Sequence, residues 1–426
     1  MSELNLLTAA QAAREITAGR ITSEALVRDC LERIAQRDAE VQAWVYLDPE
    51  AAIAQARAID KTTTHGPLAG VPAGFKYVID TSDMPTQYNS PIYTGYRPRA
   101  DAASVALLRE AGGVVLGKTV TTEFATRTPG PTRNPHNLAH TPGGSSSGSA
   151  AAVADFMAPL AFGTQTGGST IRPSAYCGIV GYKPSFNTIN RAGLKFVSES
   201  LDTIGVMART VEDCALVVHA VSGRSLPDFG AKLTGAPRIG FCRTPRWNDA
   251  SPATQALLES AAAALAKAGA RVRDLALPGD FDRLYDEQEL IAGVEGARAL
   301  AHERRTQPEL LSDHLRGKLE EHAAMPGERY ADAMRHAREC RLAFTGLFSD
   351  IDVLLTPSAP GEAPKGIEST GSSLYNRNWT LLGVPCVTVP AGRGPQGLPL
   401  GVQIVGRYDD DARVLVAAEW MRRALT

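Results

Sequence analysis

The chain has 426 residues, and its 44 basic and 46 acidic side chains nearly cancel, so nothing argues for a nucleic-acid or polyphosphate partner. No stretch approaches the ~20 apolar residues of a membrane span, and the start, MSELNLLTAAQAAREITAGR, lacks a secretory-signal pattern. The six cysteines are dispersed without paired spacing and read as reduced thiols of a cytoplasmic protein; no His, Cys or carboxylate cluster has ligand spacing, so neither a metal nor another cofactor is expected.

Residues 8–36 alternate apolar and polar at helical spacing. Thr8 with Gln11 resembles a capping box, Gly19 closes a first helix, and Glu24–Ala35 and Pro49–Ile59 predict two more. Leu68–Lys76 (LAGVPAGFK) is a short apolar run ending in a lysine, which by default is an edge residue snorkelling to solvent. Asp80–Pro98 is loop-like and aromatic, the expected wall of a pocket. Ser104–Gly112 predicts a helix and Val114–Lys118 a strand. Across them, Gly112–Thr119 fits the phosphate-loop pattern GxxxxGK[ST]. That loop must follow a strand and open a helix; here it follows a helix and contains a strand, so the phosphate reading is rejected.

The stretch Gly143–Lys183, GGSSSGSAAAVADFMAPLAFGTQTGGSTIRPSAYCGIVGYK, places a short apolar helix between two serine-bearing glycine turns. Glycine lets backbone N–H groups approach a ligand, and consecutive N–H groups form an anion site. A serine in such a turn has oxyanion donors beside it, as acyl transfer requires.

Its three parts are Gly143-Gly144-Ser145-Ser146, then Gly163-Thr164-Gln165-Thr166-Gly167-Gly168-Ser169, then Lys183-Pro184. In content and spacing they resemble the amidase signature family of serine hydrolases, nearest to its malonamidase-type members. The resemblance implies an α/β fold: one large domain over 1–426, with a central mixed sheet covered by helices on both faces and a signature core at about 68–215. It implies a serine–cis-serine–lysine triad in which Ser169 is the nucleophile, Ser145 the bridge 24 positions earlier, and Lys76 the base. Backbone N–H groups of Thr166, Gly167, Gly168 and Ser169 would form the oxyanion hole. Two departures stand out. Tyr77 follows the lysine where members commonly have Asp. Gln165 takes the place of a usual Asp, with Arg172 three positions past the nucleophile instead of two. Arg172 and Gln165 are therefore the candidate substrate-binding residues: a guanidinium matches a carboxylate bidentately, unless Arg172 pairs with a distant acid and props the turn.

Further on, Thr210 is the expected N-cap of a helix that carries Glu212 and Asp213 at its positive end. Arg238–Cys242, Ser251–Gly269 and Arg271–Leu277 read as strand, helix and strand, implying a parallel pair. The charged helical region at about 281–348 says little about chemistry. Val353–Pro357 reads as a strand, Asn376–Pro390 as a helix and a strand, and Leu398–Gly406 as a strand.

The leading expectation is an amidase acting on a small-molecule amide, with no nucleic-acid or membrane partner and a homodimer left open. One alternative is the glutamine-hydrolysing subunit of a tRNA-dependent amidotransferase. Another is a hydrolase using Gly144–Gly148 as a GxSxG elbow with Ser146 as nucleophile, which would need a buried strand before the turn. A non-catalytic anion-binding protein is the third.

Overall fold

The computed structural model describes residues 3–229 and 236–425. Among the described residues, eleven strands join into one mixed sheet. In chain order they are β1 (Trp44–Leu47), β2 (Pro72–Lys76), β3 (Val114–Thr119), β4 (Leu160–Gln165), β5 (Val180–Lys183) and β6 (Thr203–Ala208). The second half adds β7 (Arg238–Phe241), β8 (Arg271–Asp274), β9 (Val353–Pro357), β10 (Cys386–Arg393) and β11 (Pro399–Val405). Across the sheet the order is β1-β3-β2-β4-β6-β5-β10-β11-β9-β7-β8. Strand β2 runs parallel to β3 and β4, and β7 parallel to β8 and β9. Between them, from β4 to β9, every pairing is antiparallel. The expected parallel pair is thus β7 and β8, each somewhat shorter than expected. Strand β8 closes one edge with charged, mostly exposed residues, which discourages further pairing.

Alternation along the strands puts a core on each face. Val353 and Leu355 of β9 enter the main core, whereas Leu354 between them joins a second core with Ile291, Phe344 and Trp379. Likewise Leu160 and Phe162 of β4 face the main core, and Ala161 meets Val153 and Met207 on the other side. The helices therefore cover both faces, as an α/β sheet buried on two sides requires.

Strands β4, β5 and β6 were not expected from the sequence. Every residue in them is buried, so the polar–apolar alternation that marks a half-exposed strand is absent. The second helix runs over Ser23–Val41, beyond its expected end at Ala35, because Val41 returns to the core before Gln42 turns left-handed (φ 55°). The Thr8–Gln11 capping box and the Thr210 cap are both present. Gly112–Thr119 lies between a helix (Ala103–Glu110) and the length of β3, and Lys118 is buried with its ammonium on Ile79 O and Thr81 Oγ1. No α-helix opens at its end to cradle a phosphate; a single 3-10 turn at Glu123–Ala125 comes next, and the following α-helix starts only at Ser147. Among the described residues, no helix is long and apolar enough to cross a membrane.

Candidate active site

Parallel neighbours β2 and β4 deliver their C-terminal ends to the same side of the sheet, where open α/β folds commonly bind ligands. Lys76 ends β2 and is fully buried, so it does not snorkel. Its Nζ donates to Ser145 Oγ and to Thr164 Oγ1, both at 2.7 Å. Burial pulls the ammonium down to about pKa 7; the Asp202 carboxylate works against that shift and the Arg172 guanidinium with it. Tyr77, standing where an Asp is usual, takes no part in closing the turn through its side chain. The backbone does so, with Ile79 N–H on Lys76 O (2.9 Å) and Tyr77 N–H on Thr119 O (3.0 Å).

The first glycine turn lies just before the helix Ser147–Ala154, and its Gly144–Ser145 peptide bond is cis. Ser146 Oγ accepts from Thr164 N–H and donates to Thr164 O, both at 3.2 Å, which ties the turn to β4. The segment leading into it consists of turns and isolated bridges. The strand that a GxSxG elbow needs is missing, and Ser146 is committed to the backbone.

The second turn, Thr166–Ser169, links β4 to the helix Ile171–Tyr176. Its carbonyls are held from outside: Gln288 Nε2 donates to Thr166 O (2.8 Å) and Thr380 Oγ1 to Gly167 O (2.8 Å). In a trans peptide the N–H points away from the preceding carbonyl, so Gly167 and Gly168 present their N–H groups on the opposite side. Thr166 Oγ1 donates to the buried Asp202 carboxylate (2.5 Å), which also accepts from Val197 and Ser198 N–H. A Cβ on Gly168 would stand 2.4 Å from Asn376 Oδ1 and 2.8 Å from Ser373 Cβ, so those side chains would have to move to admit one. Ser169 follows, 8% exposed.

The two departures in this turn face inward. Gln165 is fully buried; its Oε1 accepts from Thr170 and Ile171 N–H (2.9 and 3.0 Å), and its Nε2 donates to Thr380 Oγ1 (3.0 Å). These bonds hold the start of the helix Ile171–Tyr176 and tie Gln165 to Thr380. Arg172 donates to Gly371 O and Gly144 O, both at 2.5 Å, and to Thr370 Oγ1 at 3.2 Å. Its partners are neutral oxygens rather than the distant acid considered above. Burial drops its pKa to about 10, and Nε has no hydrogen-bond partner.

Sequence reasoning missed Asp202, Gln288, Asn376 and Thr380 as supports of this turn. Asn376 and Thr380 lay in the segment Asn376–Pro390, read as a helix and a strand with no role assigned, and Gln288 in the charged helical region. The aromatic loop at 80–98 packs on itself, with Tyr93 4.8 Å from Tyr88 and 5.6 Å from Tyr96 between ring centres. Two surface grooves, of about 910 and 680 Å³, are lined by neither Lys76, Ser145 nor Ser169. At the second turn, Thr166 and Gly167 are partly open to solvent.

Comparisons with known proteins show what the chain as a whole is similar to. A family model described as Amidase matches residues 25–415. A glutamyl-tRNA(Gln) amidotransferase subunit from Chloroflexus aggregans is 34% identical, covering 99% of this chain and 97% of that protein. The protein of the same name from Roseiflexus castenholzii is 35% identical, covering 99% and 96%. Among solved structures, an amidase superposes with a TM-score of 0.90 at 29% identity, covering 99% of this chain and 100% of that one. The peptide amidase of Stenotrophomonas maltophilia gives 0.83 at 30%, covering 98% and 97%.

Proposed function

The chain belongs to the amidase family, an enzyme family of amide C–N bonds, and on that premise we propose that it hydrolyses a small amide whose acyl part carries a carboxylate. Ser169 attacks the amide carbonyl. Its proton passes to Ser145, whose own proton passes to neutral Lys76. The developing oxyanion is met by the turn's N–H groups, each donor of this kind being worth about 3–4 kcal/mol. Lys76 returns the proton through Ser145 to the leaving nitrogen, the C–N bond breaks, and an ester on Ser169 remains. Water, deprotonated by the same relay, then releases the acid and restores the serine.

The observation that carries this reading is Lys76: a buried amine 2.7 Å from Ser145 with its pKa brought to about 7 is a base at neutral pH. The inference of a carboxylate starts from the positive charge beside the turn, where Arg172 is a buried cation whose hydrogen bonds all go to neutral oxygens. Ammonia release from malonamate and from butyramide, a neutral amide of similar size, tests it. The expected result is a higher kcat/KM for malonamate; equal rates, or a preference for long apolar acyl chains, would refute the substrate class.

A second reading is favoured by the relatives at 34–35% identity over nearly their whole length, which are amidotransferase subunits. On it, the same site hydrolyses glutamine, which also bears a carboxylate, and passes ammonia to a partner subunit. Glutamine turnover that needs a co-purifying protein would select this reading; turnover of malonamate by the isolated chain would select the first.

A further inference from the structure

Three segments beside the two glycine turns each bring a charge. The helix Leu374–Leu381 touches the turn through Thr380, on Gly167 O, and Asn376, against Gly168; the next residue is Arg377. The helix Leu284–Ala299 touches it through Gln288, on Thr166 O; the next residue is Glu289. Arg127 follows the segment whose Thr122 methyl would lie 3.5 Å from a Cβ on Gly144, in the first turn. Glu289 joins the set, bonding Arg127 and, at 2.9 Å, Arg377. Ser373 wedges between Arg377 and the turn: its Oγ accepts from Arg377 Nε (3.3 Å) and would stand 3.4 Å from a Cβ on Gly167.

The charges do not balance. Arg172, Arg377 and Arg127 all act on one another electrostatically, and Glu289 is the carboxylate bonded within the group. The solvated Asp286 acts on Arg377 only from a distance. Arg172 spends both terminal nitrogens on Gly371, Gly144 and Thr370, so it offers charge but not a free bidentate edge. Arg377 is different: its side chain is 15% exposed, and its ionic partner, 43% exposed, is shared with a second arginine.

We propose that Arg377 is the specificity-determining residue that receives the substrate's carboxylate, exchanging Glu289 for it while Glu289 stays on Arg127. This rests on the anionic-amide reading above and adds the residue that does the recognising. Glu289 then acts as an internal competitor that occupies Arg377 until an anion arrives, and the ligand class is a small monoamide of a dicarboxylic acid.

The test is calorimetric binding of malonate to the full chain, independent of turnover. Arg377→Ala should raise the Kd of malonate roughly 10- to 100-fold, the weight of a lost charged hydrogen bond, and Arg377→Lys by less. Glu289→Gln should lower it. Melting temperatures of all three variants should stay near that of the parent chain. The proposal is overturned if malonate does not bind the parent chain, if Arg377→Ala binds it equally well, or if Glu289→Gln weakens binding. Failure of the amidase reading would show separately, as absence of ammonia release from either amide.

Discussion

At Lys76 burial and hydrogen bonding pull in opposite directions. Bonds to Ser145 and Thr164 favour the ammonium, but loss of hydration outweighs them and leaves the group near pKa 7. The sign of the pH dependence follows. Below pH 7 the ammonium cannot accept the serine proton, so kcat/KM should rise with pH and level off above neutrality. Asp202 raises the pKa of Lys76, so Asp202→Asn should move that acidic limb to lower pH, which a merely structural role for Asp202 would not do. A limb that stays in place or moves upward would contradict the coupling. Lys76→Ala should lose at least ~10²–10⁴ in kcat. Ser146→Ala should keep most activity but lose about 1–3 kcal/mol of stability in urea unfolding, because Thr164 N–H is left buried without its acceptor.

Among elements, the two helices that hold the turn carry the least legible part of the site. The glycine turns, the lysine ending β2 and the serines could be read from the chain because glycine leaves a local trace and the spacing is contiguous. Gln288 and Thr380 left no such trace. They bond the turn from 122 and 213 positions away along the sequence; a lone Gln on a charged helix looks like a solvated face, and a Thr in a mixed polar–apolar helix does not reveal its partner. The same logic hid β4, β5 and β6: strands covered on both faces lose their alternation, and glycines at 163, 181 and 205 broke up the apolar runs. The region at 281–348, from which no chemistry was expected, thus contributes a direct support of the candidate oxyanion turn. Gln288→Ala should free Thr166 O and lower kcat roughly 10-fold for malonamate and butyramide alike, short of the full cost of deleting an oxyanion donor. A change confined to KM, or to one substrate, would place Gln288 in substrate binding instead.

At the scale of the whole molecule, one sheet buried on both faces sets β2 beside β4 and so brings distant parts of the chain to one site. The alignment to the Chloroflexus amidotransferase subunit spans 478 positions, 52 more than the 426 residues of this chain, so the relative carries stretches this chain lacks. On the leading reading the chain works alone: purified without a partner, it should release ammonia from malonamate, and adding a cell extract should not raise the rate. Both readings stand on one claim, that Ser169 is the nucleophile. The most direct measurement is labelling of the intact protein with a serine-reactive fluorophosphonate, followed by mass mapping of the modified peptide. The expected result is a single adduct on Ser169, present in Ser146→Ala and absent in Ser169→Ala, whose turnover falls on the order of 10⁴–10⁶. An adduct on Ser146, with Ser169→Ala still active, would contradict it.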